Sequence, residues 1–193
     1  PVVADASFNC VTVDQHTSTS DTFCVMANGL AGHRPLRTGS DVAKFQAALL
    51  EVADSLARQI ARDGEGATKL VTVIVTGAAS PKDAKRAAEA IANSPLCKTA
   101  IHGSDPNWGR FVSAAGYSGA RMIVERSLCK VGPITVFRNG RPTDANLKSV
   151  QSFMQQKELT ITVDLGAGGR NSHRVYTCDL SRDYIRINAD YHT

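Results

Sequence analysis

The most constraining feature of the sequence is an apolar, β-branched run followed at once by a helix start. Residues 69–76 read KLVTVIVT, a composition typical of a central strand that is covered on both faces. Ser80 is a good N-cap, Pro81 suits the first helical position, and Asp83 completes a capping-box pattern before an alanine-rich helix. The chain is therefore predicted to contain a buried strand that leads directly into a helix.

Other segments before residue 120 also predict helices and strands, and the clearest helix in the sequence is among them. Apolar side chains recur at three- and four-residue spacing from Val42 to Ile60, which predicts a helix with Thr38 or Ser40 as its N-cap. The alternation in FNCVTVD, residues 8–14, predicts a strand. The segment CKTAIHG, residues 97–103, is predicted to return as a strand and complete a right-handed β-α-β unit, with a further helix starting at Asp105-Pro106.

Beyond residue 120 the pattern changes to that of antiparallel strands. Asn139-Gly140 lies between extended flanks, which is a good type I′ hairpin signal, and a short helix is predicted over 147–154. Three closing strands are predicted in LTITVDL, RVYTCDL and YIRINADY. We expect a mixed α/β fold with β-α-β units followed by an antiparallel C-terminal portion. The best division into domains is 1–62 and 63–193.

Charge and hydropathy exclude several classes of partner. The 193 residues carry a formal net charge of +4 without a basic run, so neither nucleic acid nor an anionic membrane is implied. The longest apolar stretch, at 70–75, is far too short to cross a bilayer, and no signal-peptide pattern opens the sequence. We therefore expect a cytoplasmic protein. Because the sequence opens with Pro1 inside an ordered-looking segment, we expect a processed or trimmed piece of a longer chain.

Cysteine and histidine spacing indicates neither a metal site nor a thiol nucleophile. The five cysteines form no CxxC pair, and we expect reduced side chains that mostly pack in the interior. The five histidines are scattered singly, without the close pairs of a zinc site. No metal ligand is assigned.

Glycine-rich segments offer little support for a nucleotide site. DLGAGGR at 164–170 lacks the order of a dinucleotide-binding fingerprint and is expected to be a turn, and VTGAASPKDAKR at 75–86 lacks a Walker lysine pattern. In GSDPNWGR at 103–110, Asp105 could cap a helix anchored by Trp108, or Arg110 could grip a carboxylate of a ligand. The sequence leaves both interpretations open.

A carboxylate between two glycines needs its own explanation. In DGEGATK, residues 63–69, Gly64 and Gly66 already supply the backbone freedom of a sharp turn. Asn or Ser would serve in such a turn as well as Glu65 does. Glu65 is therefore either a solvated loop carboxylate or a binding residue.

Four separated segments of the chain, taken in order, resemble one family. They are SFNCVTVDQHTSTSD at 7–21, DGEGATKLVTVIVTGA at 63–78, GSDPNWGR at 103–110 and DYIRINADYHT at 183–193. The chain resembles along its whole length the ornithine acetyltransferases, also called bifunctional glutamate N-acetyltransferases. One departure is DQHTSTSD in place of the more usual DGDTSTND, so no role is assigned to Gln15, His16 or Ser20.

The resemblance implies an enzyme of arginine biosynthesis that moves an acetyl group from N-acetylornithine to glutamate. In this family the precursor cleaves itself, and the second chain starts with a threonine whose hydroxyl is the nucleophile and whose α-amino group serves as the base. The present chain then corresponds to the C-terminal, or beta, chain without its first residues. The nucleophilic threonine is expected upstream of Pro1 and the oxyanion-hole residues in the N-terminal, or alpha, chain. Thr17 and Thr19 are internal and are not assigned as nucleophiles.

The resemblance also implies three substrate-binding residues, which are Glu65, Asn188 and Thr193. Glu65 would hold the ammonium group of ornithine or glutamate, with a gain of roughly 4 kcal/mol at about 4 Å and an effective dielectric near 20, before desolvation costs. An extended C-terminal segment would bring the amide of Asn188 and the hydroxyl of Thr193 to the substrate's polar groups.

Partners follow from the resemblance alone. The alpha chain of the same precursor is expected to bind this chain, in a heterotetramer of two alpha and two beta chains. No cofactor is expected, although acetyl-CoA is a possible acetyl donor. Two alternatives stay open. One is a catalytically incomplete module that binds amino acids or a partner chain, and the other is an N-terminal-nucleophile amidohydrolase that gives the acyl group to water.

Overall fold

A single six-stranded sheet organises the molecule. The computed structural model of the chain describes residues 1–191. The strands are β1 (Leu70–Ala78), β2 (Leu128–Val131), β3 (Ile134–Arg138), β4 (Arg141–Pro142), β5 (Glu158–Asp164) and β6 (Asn171–Cys178). The helices are α1 (Val2–Asp5), α2 (Gly39–Arg62), α3 (Pro81–Asn93), α4 (Pro95–His102), α5 (Gly109–Tyr117), α6 (Leu147–Met154) and α7 (Arg182–Asp190).

The sheet is mixed and has the strand order β4-β3-β2-β5-β1-β6. Strand β1 runs parallel to β5, with Val73 opposite Ile161, and antiparallel to β6, with Val73 opposite Val175. The other pairings, from β5 through β2 and β3 to β4, are antiparallel. The predicted mixed α/β class with an antiparallel C-terminal portion is therefore confirmed.

The junction between β1 and α3 forms as the sequence predicts. Ser80 Oγ accepts a hydrogen bond from the backbone N–H of Asp83 at 3.1 Å, and Pro81 is the first residue of α3. The alanine-rich side of α3 then packs on the sheet. Because alanine is small, helix and sheet approach closely there. The fully buried side chains of this helix are Ala84, Ala87, Ala88, Ile91 and Ala92.

The strand predicted at 97–103 is wrong, because this segment belongs to α4. Ser94 caps the helix by accepting from the backbone N–H of Cys97 at 3.3 Å, and Pro95 occupies the first helical position. The parallel neighbour of β1 is instead β5, which comes much later in the chain. The helix predicted from Asp105-Pro106 begins only at Gly109 and has no side-chain cap.

Two further strand predictions, near the ends of the sequence, are also wrong. The segment 8–14 forms one short 3-10 turn, Phe8–Cys10, followed by a single bridge from Val11 to Tyr176. The segment 184–191 is largely helical and lies in α7. A serine cap, described with the site below, explains why this helix forms.

The remaining C-terminal elements agree with the sequence pattern. Asn139 and Gly140 both have positive φ, 53° and 78°, as a type I′ turn requires, and they join β3 to β4. Helix α6 and strands β5 and β6 occur where they are predicted. The proposed domain division at 62/63 falls at the end of α2 and stays a prediction.

The two faces of the sheet are covered unequally. The main core lies on the face under α3 to α6 and includes Val73, Val75, Ile161 and Val163. On the opposite face α2 packs with Ala57 and Ala61 against a smaller cluster around Leu70 and Tyr176, and Cys10 of the 3-10 turn belongs to the same cluster. Within residues 1–191 no helix is long and apolar enough to span a membrane.

Candidate functional site

Two of the three predicted binding residues lie side by side. Asn188 Nδ2 on α7 donates a hydrogen bond to Glu65 Oε2 at 2.6 Å, although the two residues are 123 positions apart in the chain. The same amide group donates to the backbone carbonyl of Tyr184 at 3.0 Å. Both side chains are exposed. Thr193, the third predicted residue, lies outside the described residues.

The C-terminal segment reaches Glu65 as a helix rather than as the extended strand that was predicted. Ser181 Oγ accepts from the backbone N–H groups of Asp183 and Tyr184 at 3.1 and 3.2 Å, which is the N-cap that fixes the start of α7. Asp183 in the first turn forms an ion pair with Arg186 at 3.0 Å. Helical spacing then places Asn188 one turn beyond Tyr184, on the side of Glu65.

Gly66 lets the start of α7 rest directly on the turn that carries Glu65. Its φ is +64°, and a Cβ added there would collide with the backbone N of Tyr184 and lie 2.8 Å from the carbonyl carbon of Asp183. Ser181 Oγ also donates to the Gly66 carbonyl at 2.6 Å. The glycine was expected to allow close approach of backbone and ligand, and its close neighbour in the structure is the α7 backbone.

A buried carboxylate, Asp179, holds the residues that follow this turn through hydrogen bonds. Its Oδ1 accepts from the backbone N–H groups of Thr68 and Lys69 at 2.7 and 2.9 Å. Its Oδ2 accepts from Thr68 Oγ1 at 2.6 Å and lies 2.7 Å from His102 Nδ1. Burial opposes ionisation, but the hydrogen bonds from Thr68, His102 and Lys69 outweigh it and hold the pKa of Asp179 below its ordinary value.

The ammonium group of Lys69 is buried beneath the same turn. Its Nζ donates to the carbonyls of Ile101 at 2.6 Å and Met154 at 2.8 Å, and to Ser104 Oγ at 2.8 Å. Burial lowers the pKa of Lys69, while the charge of Asp179 raises it. Because these carbonyls lie at the C-terminal ends of α4 and α6, the cation joins both helix ends to the strand that follows the turn.

A second buried ammonium group, that of Lys98, supports the end of β6. Its Nζ donates to Thr177 Oγ1 at 3.0 Å and to the Cys178 carbonyl at 2.5 Å. Burial lowers the pKa of this lysine, with the neighbouring Cys178 acting in the opposite direction. A Cβ added to Gly64 would lie 3.0 Å from Cys178 Sγ, so this buried cluster lies directly below the turn.

All four segments that carry the family resemblance converge at this place. Asp14 in the first segment accepts a hydrogen bond from the Tyr184 hydroxyl at 2.9 Å, which joins it to the last segment. The second segment contains Glu65 and Lys69, and the third contributes Ser104 to the Lys69 cluster.

Side chains of the GSDPNWGR segment make several contacts within the chain. Trp108 packs against Phe137 with ring centroids 5.1 Å apart. The Arg110 guanidinium donates to the Leu96 carbonyl at 2.8 Å and lies 3.6 Å from a carboxylate oxygen of Asp105. The contacts therefore agree with Trp108 as an anchor and engage Arg110 within the chain, but the expected cap is wrong, because Asp105 caps no helix and pairs with Arg110 instead.

The buried groups were missed from sequence because their partners are distant. No short sequence motif marks these charged residues as buried, since they follow or lie within apolar segments. They are Lys69, Lys98 and Asp179. One signal was available for this region. Ser181, followed by an acidic residue at 183, is the pattern of a helix start, and Asp179 lies two residues before it. Four of the five cysteines are buried as expected, and Cys24 is exposed.

The exposed part of the site can accept hydrogen bonds from a cation. Asn188 Nδ2 is occupied by Glu65, and within residues 1–191 no donor is bound to Glu65 Oε1 or Asn188 Oδ1. A carboxylate oxygen and an amide oxygen side by side suit an ammonium group. In the described part of the chain no cluster of three or more His, Cys, Asp or Glu side chains could hold a metal ion.

Comparison with known proteins identifies one family. The model of the ArgJ family matches residues 2–193. The arginine biosynthesis bifunctional protein ArgJ of Geobacter sulfurreducens is 50% identical over 98% of this chain and 48% of its own length, and that of Deinococcus radiodurans is 47% identical over 100% and 48%. The crystal structure of the argJ protein from Bacillus halodurans matches with a TM-score of 0.92 and 42% identity, over 98% of this chain and 90% of that one. The chain spans about half the length of the curated relatives it matches.

Proposed function

The chain belongs to the ArgJ family, and we propose that it is one subunit of an acetyltransferase that moves an acetyl group from N-acetylornithine to glutamate. The relatives are named as bifunctional proteins of arginine biosynthesis, which supports the proposed pathway. The observation that carries the proposal is the Glu65–Asn188 pair, because it brings together residues that the resemblance assigns to one substrate.

The proposed reaction has two steps with the same nucleophile. A threonine hydroxyl, contributed from outside these residues, attacks the acetyl carbonyl of N-acetylornithine, and a base takes its proton. The amide bond breaks, ornithine leaves with a proton on its nitrogen, and an acetyl ester remains on the threonine. The amine of glutamate then attacks the ester, which yields N-acetylglutamate and restores the hydroxyl.

Glu65 and Asn188 orient the substrate in this scheme. The α-amine of N-acetylornithine is acylated, so the ammonium that Glu65 binds is the one on its side chain. The hydrogen bond from Asn188 holds the carboxylate in one position, which reduces the ordering that binding would otherwise require. A fixed ammonium in turn limits where the acetyl group can lie relative to the hydroxyl.

The proposal also includes the partner chain, a third substrate contact and the acetyl donor. The other half of the protein is the N-terminal, or alpha, chain of the same precursor, in an assembly of two alpha and two beta chains, and it carries the oxyanion hole. Thr193 joins Glu65 and Asn188 as a substrate contact. The route needs no cofactor, and acetyl-CoA would act only as another acetyl donor.

Intact-mass measurement of the whole two-chain protein tests the function. Incubation with N-acetylornithine should add one acetyl group to the chain that bears the threonine, and glutamate should remove it. Absence of the adduct would refute the acetyl-threonine route. Product analysis with and without glutamate separates transfer from hydrolysis, since an amidohydrolase would release acetate at the same rate in both.

A further inference from the structure

Helix α7 carries Asn188, but little apolar packing holds this helix in place. Of its nine residues, Arg182–Asp190, eight are exposed and only Tyr184 is partly buried. The apolar side chains of Ile185 and Ile187 are 63% and 39% exposed. Because the packing of an apolar face normally supplies most of the stability of a helix in a protein, the orientation of α7 depends on a few specific contacts.

Tyr184 connects α7 to a distant loop. Its hydroxyl donates a hydrogen bond to Asp14 Oδ2 at 2.9 Å, although the two residues are 170 positions apart in the chain. The backbone carbonyl of Tyr184 accepts from Asn188 Nδ2 at 3.0 Å, and the same amide group donates to Glu65 Oε2 at 2.6 Å. Hydrogen bonds therefore connect Asp14 to Glu65 through one turn of α7.

Contacts that do not involve α7 hold Asp14 in place. Its Oδ1 accepts from the backbone N–H of His16 at 3.0 Å, which forms an Asx turn. The backbone N–H of Thr12 donates to the Tyr176 carbonyl of β6 at 2.9 Å, and the Thr12 hydroxyl donates to Asn93 Oδ1 at the end of α3 at 2.8 Å. The loop is thus fixed to both the sheet and α3, so Asp14 offers α7 a fixed acceptor.

The surroundings of the Tyr184 hydroxyl keep it protonated. Burial raises the pKa of Tyr184, and the hydrogen bond to Asp14 and the charges of Asp14 and Glu65 raise it further. Only the protonated phenol can donate to a carboxylate. The hydrogen bond between Tyr184 and Asp14 therefore persists at neutral pH.

We propose that Asp14 and Tyr184 are positioning residues for the substrate-binding pair, an inference that rests on the proposed function. Neither residue contacts the substrate in the proposed site. Their hydrogen bond holds α7 against the loop at Asp14, so that the Asn188 amide stays next to Glu65 and keeps its carboxylate in one orientation. Without the Tyr184 hydroxyl, the substrate itself would have to order Asn188 and Glu65, which lowers its affinity.

The kinetics of Tyr184→Phe in the full two-chain protein test this role, because the variant keeps the ring and removes only the hydroxyl. We expect KM for N-acetylornithine to rise about fivefold, the effect of one hydrogen bond, with an unchanged kcat. Tyr117→Phe removes the same group from a tyrosine of α5 that is 93% exposed, and its KM should stay at the wild-type value. A merely structural role would lower the amount of folded enzyme and thus kcat, with KM unchanged, and that result would overturn the inference.

Two double variants test whether the effect acts through Asp14 and Glu65. Asp14→Ala combined with Tyr184→Phe should raise KM no more than the larger of the two single changes, since both remove the same hydrogen bond. In a Glu65→Gln protein, which lacks the charge that binds the ammonium group, Tyr184→Phe should raise KM by less than about twofold. Effects that multiply in either pair would overturn the inference.

Calorimetric titration with L-ornithine separates this inference from the proposed function, because binding does not require acetyl transfer. If the wild-type protein binds ornithine but forms no acetyl adduct, the transfer route is refuted. A Kd about fivefold higher in Tyr184→Phe would still support the positioning role. An active wild type whose Tyr184→Phe variant has the same KM and Kd would keep the function and overturn this inference. A wild type that neither binds ornithine nor transfers acetyl would overturn both.

Discussion

Replacement of Asp179 by alanine tests whether the hydrogen bonds of this buried carboxylate stabilise the segment next to the Glu65 turn. The substitution removes four interactions, with the backbone N–H groups of Thr68 and Lys69, the Thr68 hydroxyl and His102. It also leaves one buried backbone donor, that of Lys69, and one partly buried donor, that of Thr68, without their partner. At about 1 kcal/mol for each hydrogen bond, the expected loss in the free energy of unfolding is about 4 kcal/mol.

Urea unfolding of the purified protein, followed by circular dichroism, measures this loss. Asp183→Ala is the matched control, because Asp183 is an exposed carboxylate four residues further on with a surface ion pair to Arg186. Its replacement should change the free energy of unfolding by less than about 0.5 kcal/mol. An Asp179→Ala protein within about 1 kcal/mol of wild type would refute the assigned role of this carboxylate.

The pH dependence of the same measurement has a defined sign. Because the folded pKa of Asp179 is lowered, its ionised form stabilises the fold at pH values above the unfolded pKa of about 3.9. That contribution is lost as the pH falls through the lower folded pKa. The difference in stability between wild type and Asp179→Ala should therefore shrink in acid, and a constant difference down to the acid transition would contradict this explanation.

Two further substitutions probe the same region. Gly66→Ala should destabilise the folded protein by about 2 kcal/mol or more, because φ is +64° and the new Cβ would collide with the α7 backbone. Gly116→Ala in α5 is the control, because its new Cβ would have no atom within 4 Å, and it should be neutral or stabilising. Thermal unfolding compares the two, and equal effects would refute the contact. Lys69→Met should cost about 3 kcal/mol, since it leaves the Ile101 and Met154 carbonyls without their donor and removes the positive charge near Asp179. A melting temperature within a few degrees of wild type would contradict this role.

A serine N-cap marks the start of a helix in three places, but only one of these starts was predicted from the sequence. Ser80-Pro81 was identified as a helix start, and α3 forms there. Ser94-Pro95 has the same form and begins α4, yet the β-branched and apolar residues after it favoured a strand. At the C-terminal end, the alternation from Tyr184 onward favoured a strand, although the Ser181 cap produces a helix. In each case the cap decides the structure more strongly than side-chain alternation does.

The site could be predicted only in part, because its support is non-local. Glu65 and Asn188 were found through resemblance, and they meet at 2.6 Å. Lys69 and Asp179 act on partners 32 to 111 positions away, which no local pattern in the sequence reveals. The apolar stripe of α2 predicted the helix correctly, but in this chain the stripe itself stays exposed and the alanines beside it are buried. Periodicity identifies a helix without specifying which chain covers each side.

The most direct test of the account is the KM for N-acetylornithine of the full two-chain protein carrying Glu65→Gln. This variant keeps the shape of the side chain but removes the charge that would bind the ammonium group. Because Glu65 is exposed in this chain, solvent screening reduces the gross attraction, and we expect a rise in KM of about tenfold, which is 1.4 kcal/mol. Asp63→Asn in the same turn should stay within about twofold of wild type, since it removes an equal charge from a residue without a binding role. An unchanged KM in the Glu65→Gln protein would contradict the assignment of Glu65 as the substrate-binding carboxylate.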